Sequence, residues 1–223
     1  MQSPPSSHTP AQAVVFDMDG LMIDSETIYH HAWQQAAADL GYTIDDAILR
    51  GLIGVRTDEC EAVICDHLGA DFPLPAFRIR WMERWEDLAA ASGIQRKPGI
   101  TELIARVEEL GLPKAVATSS TLAEAERSLR LSDLARHFDI VVTGDQVAHG
   151  KPAPDIFAEA ARRLGIPAQM CVAFEDSNAG ALAAHRAGMR VFVVPDLVPP
   201  DATTRTVAAG ILTSLHDAQD IFA

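Results

Sequence analysis

Ala13-Val14-Val15-Phe16-Asp17-Met18-Asp19-Gly20 is the stretch on which the fold turns. Four apolar residues run without interruption and stop abruptly at a carboxylate. A run this short, apolar at every position, fits a strand buried on both faces, as strands of a parallel sheet are. Outward along the chain the same grammar recurs. Residues 114–117 stop at Thr118-Ser119-Ser120, 140–142 at Thr143-Gly144-Asp145, 171–174 at Glu175-Asp176, and 190–194 at Pro195-Asp196. Helical patterns separate them. Residues 101–110 carry Leu103, Ile104, Val107 and Leu110 on one face, and Gly111 follows. Thr121-Leu122-Ala123-Glu124 spells a capping box, and Gly165 and Gly188 close two further helices as left-handed caps. Strand, helix, strand repeated gives an α/β fold: a Rossmann-like, doubly wound parallel sheet.

One stretch breaks the rhythm. After the first strand, about seventy residues carry no strand pattern and read as helices over 26–40, 45–52, 58–68 and 75–91. Gly41, Gly69-Ala70-Asp71 and Gly93 punctuate them. An insertion there would cover the C-terminal edge of the sheet, where such folds bind ligands. The expected organisation is a discontinuous core over 12–25 and 97–223, an α-helical cap domain over 26–96, and a Pro/Ser-rich tail over 1–11. Hinges are expected near 23–25 and 95–98.

Composition narrows the field. Across 223 residues, 18 Lys+Arg against 31 Asp+Glu give a formal net charge of −13. Such a surface repels phosphate backbones and anionic lipid, which argues against nucleic acid and membrane partners. Three cysteines, Cys60, Cys65 and Cys171, stand outside any CxxC spacing and suit a reducing cytoplasm. The tail has neither a basic n-region nor an apolar h-region, so it does not read as a signal peptide. A monomer is the default expectation.

In a parallel sheet all strand C-termini point to one edge. Asp17 and Asp19, Thr118 and Ser119, and Glu175 and Asp176 therefore gather there, with Lys151 in the loop after the third strand. Four carboxylates together repel one another, and oxygen-only donors favour a hard cation such as Mg²⁺ over zinc. The hydroxyls precede a helix, whose free N–H groups suit an anion, and Lys151 adds a positive charge. A metal, hydroxyls, amides and a lysine together suit a phosphoryl group.

These residues carry a family resemblance. Asp17-Met18-Asp19-Gly20-Leu21-Met22-Ile23-Asp24-Ser25-Glu26 resembles the first motif of haloacid dehalogenase (HAD) superfamily phosphatases. Ala117-Thr118-Ser119-Ser120 resembles the second, Gly150-Lys151-Pro152-Ala153-Pro154-Asp155 the third, and Phe174-Glu175-Asp176-Ser177-Asn178-Ala179-Gly180 the fourth. The helical insertion is similar to that of the β-phosphoglucomutase-like branch, and the second half to the pseudouridine 5′-phosphatase and sugar-phosphate phosphatase group. The resemblance implies Asp17 as nucleophile through an aspartyl-phosphate and Asp19 as acid and base. It implies Mg²⁺ on Asp17, the Asp19 main-chain carbonyl and Asp176, with Glu175 reaching it through water. Thr118, Ser119 and Lys151 would bind the phosphoryl oxygens. The expected activity is Mg²⁺-dependent hydrolysis of a small phosphorylated metabolite.

Departures from the family pattern narrow the chemistry. Dehalogenases lack the second aspartate, and Asp19 is present. Phosphonatases use a cap lysine, but the only lysines are Lys97, Lys114 and Lys151. β-Phosphoglucomutases carry a hinge histidine and a cap arginine–serine pair; here Tyr29 and Thr57 stand at those positions, with His30 and Arg56 displaced by one. A phosphomutase remains the alternative, and a non-catalytic sugar-phosphate-binding protein a third. Arg56 is expected to contact the non-reacting part of a substrate. His30 and His31 read as packing and surface, and Trp81 and Trp85 as cap core.

Overall fold

Val14 and Phe16 turn to one face of the sheet and Ala13 and Val15 to the other, so the first strand is buried on both sides. In the computed structural model, which describes residues 10–222, this strand, β1 (Ala13–Phe16), lies at the centre. Around it lie β2 (Lys114–Thr118), β3 (Val141–Thr143), β4 (Cys171–Glu175), β5 (Arg190–Val193) and β6 (Gly210–Ile211). All pairs are parallel, in the order β3-β2-β1-β4-β5-β6. Residues 1–9 of the expected tail lie outside the described residues; at Gln12 the backbone N–H already donates to Met170 at 2.8 Å.

The two faces are built from different side chains. Phe16, Phe174 and Phe192 stack across β1, β4 and β5 with centroids 5.7 and 5.9 Å apart. Helix α5 (Ile100–Glu109) joins that cluster through Ile100, Leu103, Ile104 and Val107. The opposite face carries Ala115, Ala117 and Ala173. These small residues admit Phe157 of α7 (Asp155–Leu164) and the alanines of α8 (Asn178–Arg186). Helix α6 (Leu122–Leu131) starts on the expected capping box: Thr121 Oγ1 accepts from Glu124 N, and Thr121 N donates to Glu124 Oε2 at 2.8 Å. Before β6 comes α9 (Ala202–Val207), capped by Asp201. Among the described residues no helix is long and apolar enough to cross a membrane.

The inserted segment forms α1 (Glu26–Asp39), α2 (Asp46–Gly51), α3 (Thr57–Leu68) and α4 (Leu74–Ser92). Helices α1 and α4 pack through rings: Trp33 lies 6.2 Å from Phe77 and 6.0 Å from Trp81, and Tyr29 lies 5.8 Å from Trp85. The chain enters and leaves this segment side by side. Asp24 N donates to Gln95 O at 2.8 Å, and Lys97 N donates to Met22 O at 2.9 Å. Lys97 Nζ then ties this crossing to Asp196, beyond β5, at 2.7 Å.

Candidate active site

The strand ends converge as parallel topology requires. Asp17 follows β1 directly, its N–H held by Phe174 O at 3.0 Å, and Glu175 closes β4 beside it. Lys151, on the loop before α7, donates from Nζ to Asp17 Oδ1 and, at 2.5 Å, to Glu175 Oε1. Both partners and the lysine are buried. The other Glu175 oxygen, Oε2, accepts from Asp176 N at 3.0 Å, Ser177 N at 3.0 Å and Ser177 Oγ at 2.9 Å. A carboxylate with both oxygens so engaged is a fixed bracket.

Asp17, Glu175 and Asp176 bring carboxylate oxygens within 4.8 Å of one another, all three buried. One ammonium faces three carboxylates, so two negative charges lack a counter-charge. Burial pushes the Asp17 carboxyl well above its ordinary range; Lys151 opposes this, while Glu175 and Asp19 add to it. Asp176 is pushed up in the same sense by burial, then by Glu175 and Asp17. Burial pulls the Lys151 ammonium down, but the two carboxylates outweigh it and hold it above its usual value. An all-oxygen, over-charged, buried cluster is the donor set a hard divalent cation fits.

Asp19 sits at the cavity's edge with its oxygens held by hydroxyls. Ser25 donates to Oδ1 at 2.5 Å; Thr118 at 2.9 Å and Ser120 at 2.8 Å donate to Oδ2. Ser119 turns elsewhere: its hydroxyl donates to Gly54 O at 2.8 Å, joining the second motif to the loop between α2 and α3. Gly54 has a φ of +77°, and a Cβ there would stand 2.7 Å from Ser177 Oγ, so only glycine lets this loop lie on the site.

The cavity encloses about 590 Å³ counting the solvent at its mouth. Asp17, Asp19, Thr118 and Ser119 line it on the core side. Arg56 does not line it. Its fork is taken by Asp58 at 2.6 Å and Glu59 at 3.5 Å, and Nη1 reaches Ala148 O at 3.5 Å. The wall also includes Ser120, Glu26 and Tyr29, to which sequence reasoning gave no role, and His30, which it read as packing and surface. The signal for the last three was their spacing at i, i+3 and i+4 on one helix that begins at the site. Burial, with Asp19 and Asp196 nearby, pushes the Glu26 carboxyl up to about 8, against the pull of the Gly54 N–H and Lys97.

Gly180, in the first turn of α8, touches this bracket. A Cβ there would overlap the Glu175 carboxylate. Gly180→Ala is expected to lower unfolding stability by about 3 kcal/mol, read as the urea midpoint, because neither the helix nor the bracket can yield cheaply. An unchanged midpoint would mean that α8 slides freely.

Fold and site together define an α/β enzyme centred on buried carboxylates. A model of the haloacid dehalogenase-like hydrolase family matches residues 14–194, and the chain belongs to that family. It is 34% identical over 178 residues to the phosphorylated carbohydrates phosphatase of Thermotoga maritima, covering 80% of this chain and 82% of that protein. It is also 34% identical over 196 residues to hexitol phosphatase B of Escherichia coli, covering 84% and 86%. The crystal structure of CbbY from Rhodobacter sphaeroides in complex with phosphate superposes with a TM-score of 0.81 at 32% identity, over 93% of this chain and 96% of that one.

Proposed function

We propose that this protein is a Mg²⁺-dependent phosphatase that hydrolyses a small phosphate monoester, of the sugar-phosphate kind, through an aspartyl-phosphate. The observation that carries the reading is the division of labour between two adjacent aspartates on one cavity. Asp17 is held by an ammonium inside a carboxylate cluster; Asp19 is held by three hydroxyls at the edge.

An Asp17 carboxylate oxygen attacks phosphorus, and the bond from phosphorus to the ester oxygen breaks. Asp19 gives its proton to the departing alkoxide, then takes one from the water that attacks the same phosphorus and frees Asp17. Ser25 and Ser120 keep the Asp19 carboxyl aimed through both steps, and Thr118, which otherwise donates to Asp19, is free to turn its one proton to a phosphoryl oxygen. Lys151 fixes the Asp17 carboxylate and offsets charge as it develops. Asp17, Asp176 and the Asp19 main-chain carbonyl would hold Mg²⁺, with Glu175 acting through water; when bound, the cation neutralises the phosphoryl oxygens that approach the acidic cluster. Thr118 and the Ser119 amide complete the phosphoryl seat. The three free thiols, Cys60, Cys65 and Cys171, suit a cytoplasmic setting.

The test is inorganic phosphate release from a panel of monoesters: sugar phosphates, nucleotide monophosphates, pseudouridine 5′-phosphate and phosphoglycolate. Release is expected with Mg²⁺, with a loss of about a hundredfold or more in EDTA and recovery when Mg²⁺ is restored. Folded protein that stays silent on every ester, or works equally in EDTA, would sink the reading.

A further inference from the structure

A second cavity lies where α4 of the inserted segment faces α6 of the core. Trp81 and Trp85 of α4, Ala123, Glu124 and Arg127 of α6, and Tyr29 of α1 are among its walls. It encloses about 400 Å³ counting the solvent at its mouth, within the range of small-molecule sites. Of the described lining residues, only Tyr29 also borders the cavity over Asp17.

Its rings and its charges favour one kind of occupant. Tyr29 stands 6.0 Å from Trp81 and 5.8 Å from Trp85, ring centre to ring centre. Such rings present flat apolar faces on which another ring can stack. Trp81 and Trp85 are 5% and 3% exposed, and neither indole Nε1 has a hydrogen-bond partner. A buried donor left so costs free energy until an acceptor meets it. The charged groups are already answered. Arg127 Nη1 meets Glu86 at 2.7 Å with its guanidinium 5.7 Å from the Trp85 ring, and Glu124 Oε2 holds Thr121 N and Oγ1 at 2.8 Å each. A charged ligand would have to break one of these pairs or face a like charge. From α6, Ala123 adds only a methyl, and a larger residue there would fill the space.

We infer that this seam between α4 and α6 is a second ligand site, for a small, flat, uncharged heteroaromatic molecule that brings hydrogen-bond acceptors. It stands apart from the phosphatase reading, since Asp17, Asp19 and Lys151 are not among its walls. A molecule held here touches the inserted segment and the core at once, so its binding ties the two together.

The probe is quinoxaline, a fused ring pair with acceptor nitrogens and no charge at neutral pH. The chain's three tryptophans give three indole N–H signals in a heteronuclear NMR spectrum, assigned by replacing each with Phe. Titration into the full chain is expected to move the Trp81 and Trp85 signals with a Kd of about 1 mM or tighter, an affinity within reach of a ligand this small. Quinoxaline-2-carboxylate, the same rings with a negative charge, should bind at least about tenfold more weakly. Ala123→Phe should weaken quinoxaline at least about tenfold by filling the cavity, with the urea midpoint unchanged because Ala123 is exposed. Met82→Phe, at a half-exposed lining position on α4, is the second filler and should do the same if Ala123→Phe disturbs the fold. Indole signals that stay still, or movement of Trp33 alone, overturn the inference. So do a carboxylate that binds as tightly as the uncharged ring, and a well-folded filled variant that binds quinoxaline as the wild type does.

Discussion

Asp17→Asn is expected to cut phosphate release by at least about a thousandfold while leaving the fold intact. The amide keeps the shape of the carboxylate but cannot form the acyl phosphate, and removal of a covalent nucleophile costs at least that much. The structure says why stability should survive. Asp17 is one of three buried carboxylates facing a single ammonium, and burial already pushes its carboxyl well above the ordinary range. A neutral amide relieves that repulsion, its carbonyl oxygen can still accept from Lys151, and Glu175 keeps the ammonium paired. In metal-free protein the variant should match or exceed the wild type in urea midpoint. Steady-state phosphate release and urea unfolding on one preparation decide the matter. Activity within tenfold of wild type would place the nucleophile elsewhere; collapse of the midpoint would make Asp17 a structural residue.

Lys151→Met carries the second large effect, and it falls on stability and activity together. Methionine preserves the unbranched stem but not the ammonium, which stands 5.2 Å from the Phe157 ring centroid. It removes the one cation bound by Asp17 and Glu175. Breaking a buried ion pair from one side costs about 3–5 kcal/mol, because the remaining charge has no partner. The sign with pH follows. Burial already raises the Asp17 carboxyl, and without Lys151, which opposes that, it binds its proton more tightly still, so the stability it retains is present at acid pH and lost as pH rises through its raised value. The deficit in metal-free protein should therefore be larger at pH 7 than at pH 5. Urea midpoints at both values read it directly, and an equal deficit at both would show that Lys151 matters through packing alone. Phosphate release should fall at least about a hundredfold, since the Asp17 carboxylate loses its anchor.

The elements most legible in sequence were those whose burial is complete. β1 is apolar at every position, and β2 and β4 are apolar over 115–117 and 171–174, because helices cover both faces; the polar groups begin at Asp17, Thr118 and Glu175. Helix ends were legible where a cap is local: Thr121 with Glu124 opens α6, and Gly165 closes α7 in the left-handed conformation. β6 was not foreseen. Two residues, one of them exposed, carry no periodicity, and their pairing with β5 is purely long-range. Boundaries of the second to fifth strands moved by a residue for the same reason, since pairing with neighbouring strands decides where each ends.

The site divides along a similar line. Four motifs in order, each at a strand end or just beyond, were enough to place Asp17, Asp19, Lys151, Glu175 and Asp176 at one edge, because parallel topology leaves no other arrangement. What the hydroxyls do was not readable. Thr118, Ser119 and Ser120 are consecutive and chemically alike, yet two of them hold Asp19 and the third holds the Gly54 carbonyl. Arg56 was expected at the substrate because it follows Gly54-Val55, a loop read as reaching the core; what sequence could not show is that its fork pairs with Asp58 and Glu59, acidic neighbours that a rotamer choice brings into reach. Periodicity and polarity are local properties, so the chain itself determines its buried strands, its helices and the edge on which its carboxylates meet, but not β6. Which hydroxyl faces which oxygen, which cation is already taken, and that α1 presents Glu26, His30 and Trp33 to the cavity depend on how distant segments pack, and only the folded structure decides them.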